Sequence, residues 1–271
     1  MSNPNFIKTI IKKTFSQRFF WARVTNYPVI GRIIEYLLFE NDDITYLPRD
    51  KVVPVNTSLA PKEDMVMPSQ VLEHFIREAN YHWIMNTCIC RESTSCKDYP
   101  IDLGCIFLGE AAMGINPKWG HKATMEETLE HAARCREAGL VHLIGRNKLD
   151  AVWLNVGPGE KLLTVCNCCP CCCLWKVLPT IKPSINSSVN KMPGVTVSVT
   201  DECVGCGTCA DDVCFVNAIH MENDRAVISD ECRGCGNCVA VCPKGAIELT
   251  IDKTYNIQEA VAKIENLVDV R

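Results

Sequence analysis

Several features common in chains of this length are missing. No stretch is long and apolar enough to span a bilayer, and residues 1–21 interrupt their apolar positions with Lys8, Lys12, Lys13 and Arg18, so no secretory leader core is expected. Aromatic residues make up only 7%, and the six histidines (74, 82, 121, 131, 142 and 220) are scattered, so each reads as a structural side chain. No general acid, nucleophile triad or phosphate-binding fingerprint stands out; Gly157-Pro158-Gly159 is an isolated turn. In place of these there is cysteine, 19 of 271 residues. Cysteine at that density signals either a disulfide scaffold or metal chemistry, and the missing leader selects metal in a reducing, cytoplasmic setting.

Eight of the cysteines form two runs that nearly repeat each other: Cys203, Cys206, Cys209, Cys214, and Cys232, Cys235, Cys238, Cys242 followed by Pro243. Asp201-Glu202 precedes one run and Asp230-Glu231 the other, and Ala218-Ile219 follows the first much as Ala246-Ile247 follows the second. Three cysteines at two-residue intervals let one loop wrap three corners of an iron–sulfur cube, and Gly205, Gly207, Gly234 and Gly236 allow the tight curl. Zinc modules instead pair two C-x2-C knuckles across a spacer.

This segment resembles the bacterial two-cluster ferredoxin module. The resemblance implies two [4Fe-4S] clusters, one-electron transfer and crossed ligation, in which the fourth cysteine of each run serves the other cluster. Carried onto these positions, one cluster takes Cys203, Cys206, Cys209 and Cys242, and the other Cys232, Cys235, Cys238 and Cys214. The first run departs from the pattern: four residues instead of three separate Cys209 from Cys214, and Phe215 stands where proline is usual. A bulge before the fourth ligand is the expected remedy.

The formal charge of −4 conceals an asymmetry: residues 1–40 carry six Lys/Arg against two Glu, and residues 195–255 ten Asp/Glu against four Lys/Arg. The acidic module would repel nucleic acid and favour a basic redox partner protein. The pattern divides the chain into basic helices and a connector (1–65), a cysteine-rich α+β domain (66–180), a linker (181–194, its Pro/Ser/Asn-rich composition starting near 179), the ferredoxin domain (195–253) and a C-terminal helix (254–271), an α+β chain throughout. Phe6, Ile7, Ile10, Ile11 and Phe15 recur at helical spacing opposite Lys8, Lys12 and Lys13. Such a helix either packs on its own domain or a partner subunit, or lies on a membrane surface. Residues 29–39 read as a second helix burying Ile30, Ile33, Ile34, Leu37 and Leu38, and 44–66 as extended connector. Helices are expected at 68–80, 105–113 and 125–138, the last capped by Thr124 and Glu127 and stopped by Gly139, and at 257–268. Strands are expected at 140–144, 151–156 and 161–166.

Within the middle domain lie Cys88, Cys90, Cys96 and Cys105, then Cys166, Cys168, Cys169, Cys171, Cys172 and Cys173. Six cysteines in eight positions have no ordinary packing explanation. Thiolate-rich sites select iron–sulfur or zinc, and a chain that already assembles clusters favours one or more further iron–sulfur clusters here, drawing on both groups. The C-x-C pair calls for a turn if both thiols are to reach one metal, and neighbours such as Cys171 and Cys172 would rarely both face one. Cys135, mid-helix, reads as a core residue, and Arg91 as a donor to sulfur or a carboxylate partner. The C-x-C-R and CNCC-x-CCC segments resemble cysteine-rich proteins of anaerobes and methanogens that carry a C-terminal two-cluster ferredoxin.

The expectation is an iron–sulfur electron-transfer protein whose ferredoxin domain exchanges electrons with the upstream cysteine site. Two alternatives stand beside it: a reductase with a catalytic upstream site wired by the ferredoxin domain, and a carrier of metal or clusters.

Overall fold

The computed structural model describes residues 4–50, 67–252 and 257–271. Most of the expected connector, and the side chains of Phe6, Ile7 and Lys8, lie outside the described residues. Helices α1 (Pro4–Phe15), α2 (Arg18–Val24) and α3 (Pro28–Leu38) lead into β1 (Asp43–Tyr46). Then follow α4 (Pro68–Glu78), β2 (His82–Met85), the short α5 (Ile89–Thr94), β3 (Ile106–Leu108), β4 (Gly120–Ala123), α6 (Met125–Glu137), β5 (Val141–Arg146), α7 (Lys148–Leu154) and β6 (Leu163–Cys168). The remainder comprises α8 (Pro183–Asn186), β7 (Val189–Lys191), β8 (Val195–Val199), β9 (Ile219–Glu222), β10 (Arg225–Ile228), α9 (Asn237–Val241), β11 (Ile247–Ile251) and α10 (Ile257–Glu265). The protein is α+β.

Seven strands form one sheet in the order β4-β2-β3-β6-β5-β1-β7, antiparallel except where β1 meets β7. Alternation gives each face its own core. Ile84, Ile106, Leu108, Ile144, Leu163 and Val165 face α4, whose Val71, Leu72, Phe75 and Ile76 are almost completely buried. On the opposite face, Ile44, Tyr46, Val141, Leu143 and Cys168 join Trp175, Leu178 and Phe215. The last strands close the structure: β8 pairs with β11, and their Val195 and Leu249 enter the first core together with Val261 and Ile264 of α10. Lys263 Nζ and Asp43 Oδ1, 2.8 Å apart, tie α10 to the sheet, as expected of a C-terminal helix packed back on the body.

Several local expectations are corrected. The first three residues of the connector, 44–46, belong to β1. The residues assigned to a linker carry α8 and β7, and β7 is a strand of the large sheet. A β3 strand and a short 3-10 turn replace the helix at 105–113, because Gly109 adopts φ +98 and brings the backbone against Lys161, whose carbonyl oxygen would stand 2.5 Å from any Cβ. Helix α7 replaces the strand at 151–156. Only half of the capping box on α6 forms: the Glu127 amide donates to Thr124 Oγ1 at 3.1 Å, while the Glu127 carboxylate turns to His121 instead. In α3, Ile30, Ile33 and Leu37 are about half exposed instead of buried. Helix α1 lies over α5, fixed by the 2.9 Å Lys12–Glu92 ion pair and a buried Phe15.

Candidate metal centres

The two late cysteine runs fold as near copies. Each ends with an amide pointing back at its fourth thiol: Ala218 N donates to Cys214 Sγ and Ala246 N to Cys242 Sγ, both at 3.3 Å. Ala226 N reaches Cys203 Sγ at 3.5 Å, and Gly234 N reaches Cys232 Sγ at 3.4 Å. Gly205 sits at φ +68, where a Cβ would stand 2.2 Å from the Asp224 carbonyl oxygen, so the repeated glycine is required by close backbone approach. The copies diverge between their third and fourth cysteines. In the second run α9 carries Cys238 toward Cys242, whereas the first run is irregular, with Asp212 at φ +53 taking up the extra residue. Asn237 Nδ2 donates to the Val213 carbonyl at 3.4 Å, stitching the two runs together.

Two cavities result, each lined by three cysteines of one run and one of the other. Cys232, Cys235, Cys238 and Cys214 line the first with Val213, Phe215, Ile219 and Ile228. Cys203, Cys206, Cys209 and Cys242 line the second with Val204, Met221, Ala226 and Ile247. Their surroundings differ. Burial pushes the Cys238 thiol up to about 12 and Cys235 higher still. In the other quartet the amides of Ala226 and Gly205 lower Cys203, the Thr208 hydroxyl lowers Cys206, and Cys206 is exposed. The first quartet is therefore the inner one, its Cys235 and Cys238 thiols raised by burial, and the second the outer, since it meets solvent through the exposed Cys206 although its Cys209 is buried.

The ten upstream cysteines are brought together as two groups. Cys166 and Cys168 alternate onto one face of β6, while Asn167 faces the other and bonds His142 Nδ1 at 2.7 Å. Cys168 accepts from the Cys173 thiol at 3.1 Å; Cys105 bonds Cys166, and Cys166 bonds Cys168. Cys88, at the start of α5, bonds Cys90, which lies within the field of Cys173 as Cys105 does of Cys88. The turn of the C-x-C pair comes from α5, and these six thiols form one nest. Hydrogen bonds from Cys105 and Cys168 hold Cys166 well below an ordinary thiol, and the bond from Cys90, aided by Arg91, takes Cys88 to about 6.

Cys96, Cys169, Cys171 and Cys172 form the second group, all four sulfurs lying within 4.8 Å of one another. Cys171 and Cys172 do converge, contrary to the sequence expectation, because the chain turns sharply past Pro170. Cys135 stays behind this group among Leu103 and Leu140, its thiol pushed up to about 12 by burial.

Arg91 stands between the two groups with no solvent exposure. Its guanidinium donates to the carbonyls of Asn167, at 2.8 Å, and Leu103, while Cys88, Cys169 and Cys105 lie within its field. Two other residues of the site escaped sequence reasoning. Tyr46 is fully buried, its hydroxyl has no hydrogen-bond partner among the described residues, and Cys173, Cys168 and Cys235 are its thiol neighbours. Asp150, near Cys166 and held by Asn147 Nδ2 and Trp153 Nε1 at 2.7 Å each, is raised to about 8 by burial. The alternation of Ile44 and Tyr46 around Thr45 signals a strand and could have exposed the first; the second lies just before the segment 151–156 read as a strand, in the first turn of the helix that replaces it. The histidines serve structure or surface. His82, His131 and His142 bond Ile76 O, Gly104 O and Asn167 inside the core, and His121 and His220 meet Glu127 and Glu222 outside it.

A family model described as the LdpA Fe-S cluster-binding domain matches residues 210–253. The match takes in Cys214, Cys232, Cys235, Cys238 and Cys242 and begins just after Cys209. No curated protein and no solved structure matches the chain. The C-terminal part of the chain thus carries an iron–sulfur-binding domain. Among the described residues no helix is long and apolar enough to cross a membrane.

Proposed function

We propose that this is an electron-transfer protein in which two [4Fe-4S] clusters exchange electrons with the six-thiol nest upstream. Cys232, Cys235, Cys238 and Cys214 would hold the inner cluster, and Cys203, Cys206, Cys209 and Cys242 the outer. The residues suit the group: each cavity offers four thiols, amides aimed at sulfur and an apolar wall. A bound cluster supplies one-electron chemistry, and burial with hydrogen bonds to sulfur sets its potential.

The observation that carries this reading is the position of Tyr46. It is buried in one core with Cys168 and Cys173, against which Cys235 packs, and that core is shared by β1, β5 and the ferredoxin loops. The Arg49 amide, just beyond β1, donates to the Cys235 carbonyl at 3.2 Å, so the inner quartet is bonded directly to the chain that leaves the large sheet. The outer quartet faces solvent through Cys206, and Asp201, Glu202, Asp211 and Asp212 of the same cysteine run are exposed, which suits a basic redox partner.

A second contact is proposed at the other end. Phe20, Trp21, Ile30, Ile33 and Leu37 leave an apolar face open on α2 and α3, with exposed Arg23 and Arg32 beside it. Apolar side chains rimmed by cations suit an anionic lipid surface.

Anaerobic purification with iron and acid-labile sulfide counts, followed by EPR of the reduced protein, tests the main reading. About eight irons and eight sulfides are expected from the two quartets, with more if the nest is loaded. Colourless, zinc-filled protein that is silent to reductant would overturn it.

A further inference from the structure

The quartet of Cys96, Cys169, Cys171 and Cys172 differs in size from every other thiol group in the protein. Its four sulfurs lie within 4.8 Å of one another, Cys96 and Cys171 at 3.6 Å. Among the described residues no other three metal-ligating side chains gather so closely. A tetrahedral ion with metal–sulfur bonds of ~2.3 Å sets its thiolates ~3.8 Å apart. A four-iron cube spreads them wider, because irons and sulfides fill the space between.

The surroundings also fit a closed site. Leu103, Leu140, Tyr99 and Ala138 pack around the quartet, and Cys169 and Cys172 are buried. Arg91 neighbours Cys169, placing a buried positive charge against a centre that four thiolates and one divalent ion would leave negative. The ligands come from two places in the chain: Cys96 from the loop after α5, the other three from the turn beyond β6. An ion there would fasten the α5 loop to the end of a central strand.

We infer that Cys96, Cys169, Cys171 and Cys172 hold a single divalent thiophilic ion, zinc or ferrous iron, as a structural site separate from any cluster. The proposal goes beyond the electron-transfer reading and does not depend on it. Thiolate donors select these ions over harder ones, and four of them leave no position open for a substrate.

The test compares anaerobically purified full-length protein with Cys96→Ser, Cys172→Ser and Cys96→His, counting zinc, iron and acid-labile sulfide in each. Both serine variants are expected to lose one equivalent of zinc or iron with sulfide unchanged, while Cys96→His, which keeps a nitrogen ligand, retains the ion. X-ray absorption at the zinc edge, or Mössbauer spectroscopy if the ion is iron, is applied to the unsubstituted protein and so does not require any variant to fold. Four sulfurs at ~2.3 Å from a lone metal are expected. Loss of sulfide together with several irons would assign the quartet to a cluster and overturn the proposal. So would unchanged metal content, or disulfides among these four cysteines. Failure of the electron-transfer reading shows separately, as low sulfide in the unsubstituted protein.

Discussion

Tyr46 meets Phe215 edge-on, ring centroids 5.5 Å apart, so the last residue of β1 and the residue after the first run's fourth cysteine share one buried contact. This pair joins the large sheet to the inner quartet. Truncation to Tyr46→Ala is expected to cost about 3–5 kcal/mol, the usual range for a large buried aromatic, read as a lowered denaturation midpoint. Tyr46→Phe keeps the packing and removes only the unpartnered hydroxyl. It is expected to leave stability unchanged or raised, and to lower the inner cluster's reduction potential if that hydroxyl donates to sulfur in the loaded protein.

Replacing Arg91 by Met removes the buried cation facing Cys88, Cys105 and Cys169 and strips two carbonyls of their donor. A loss of about 3–5 kcal/mol is expected, as for breaking a buried ion pair, together with loss of upstream metal while iron in the two C-terminal quartets is retained. Arg91→Lys should not rescue it, because one ammonium cannot span both carbonyls. Metal analysis and thermal denaturation check both statements.

Cys235→Ser and Cys206→Ser separate the inner quartet from the outer. Each is expected to remove about four irons and four sulfides. A protein donor docking at Cys206 should be blocked by both variants. With a small-molecule reductant that can reach the inner quartet directly, only the inner variant should abolish reduction of the upstream site in stopped-flow, because only Cys235 is a neighbour of Tyr46. Equal effects of the two variants on that small-molecule reduction would argue against that order of sites.

Asp42 supplies a pH test away from the cysteines. Burial raises its carboxyl to about 7, against the bond from the Lys148 amide at 2.7 Å. The folded chain then holds a proton that the unfolded chain releases near pH 4, so stability falls as pH climbs from about 4 toward 7. Asp42→Asn is expected to flatten this slope in denaturant titrations across that range.

Ile33→Glu combined with Leu37→Glu places charge on the open face of α3 without touching the core. Co-sedimentation with vesicles containing anionic lipid is expected for the unsubstituted protein and abolished in the double variant, with the iron content of both equal. Binding that is indifferent to the substitution would remove the membrane reading.

The chemistry of this protein was more legible in its sequence than its architecture. The resemblance of Cys203 to Cys242 to the two-cluster ferredoxin pattern implied quartets drawn from both runs, and each of the two cavities is lined by three cysteines of one run and one of the other. The helices Pro68–Glu78 and Met125–Glu137 were visible through period and caps. The edge of the sheet was not: Asp43–Tyr46 and Val189–Lys191 are short strands set among prolines, serines and asparagines, and only their pairing with each other and with β5 makes them strands. The division of ten upstream thiols into a nest of six and a quartet was equally hidden. It depends on which face of β6 a residue occupies and where the chain turns past Pro170, and both are tertiary facts.

The parallel pairing of Val189–Lys191 with Ile44–Tyr46 fastens the chain that leads into the iron–sulfur-binding domain to the sheet that carries the thiol nest. In the proposed electron-transfer reading, a flexible tether would make each internal electron hop wait for a chance collision, and this seam would instead fix the tunnelling gap. Internal transfer should accordingly proceed at one rate in thin buffer and in viscous glycerol, and only the encounter with an outside partner should slow.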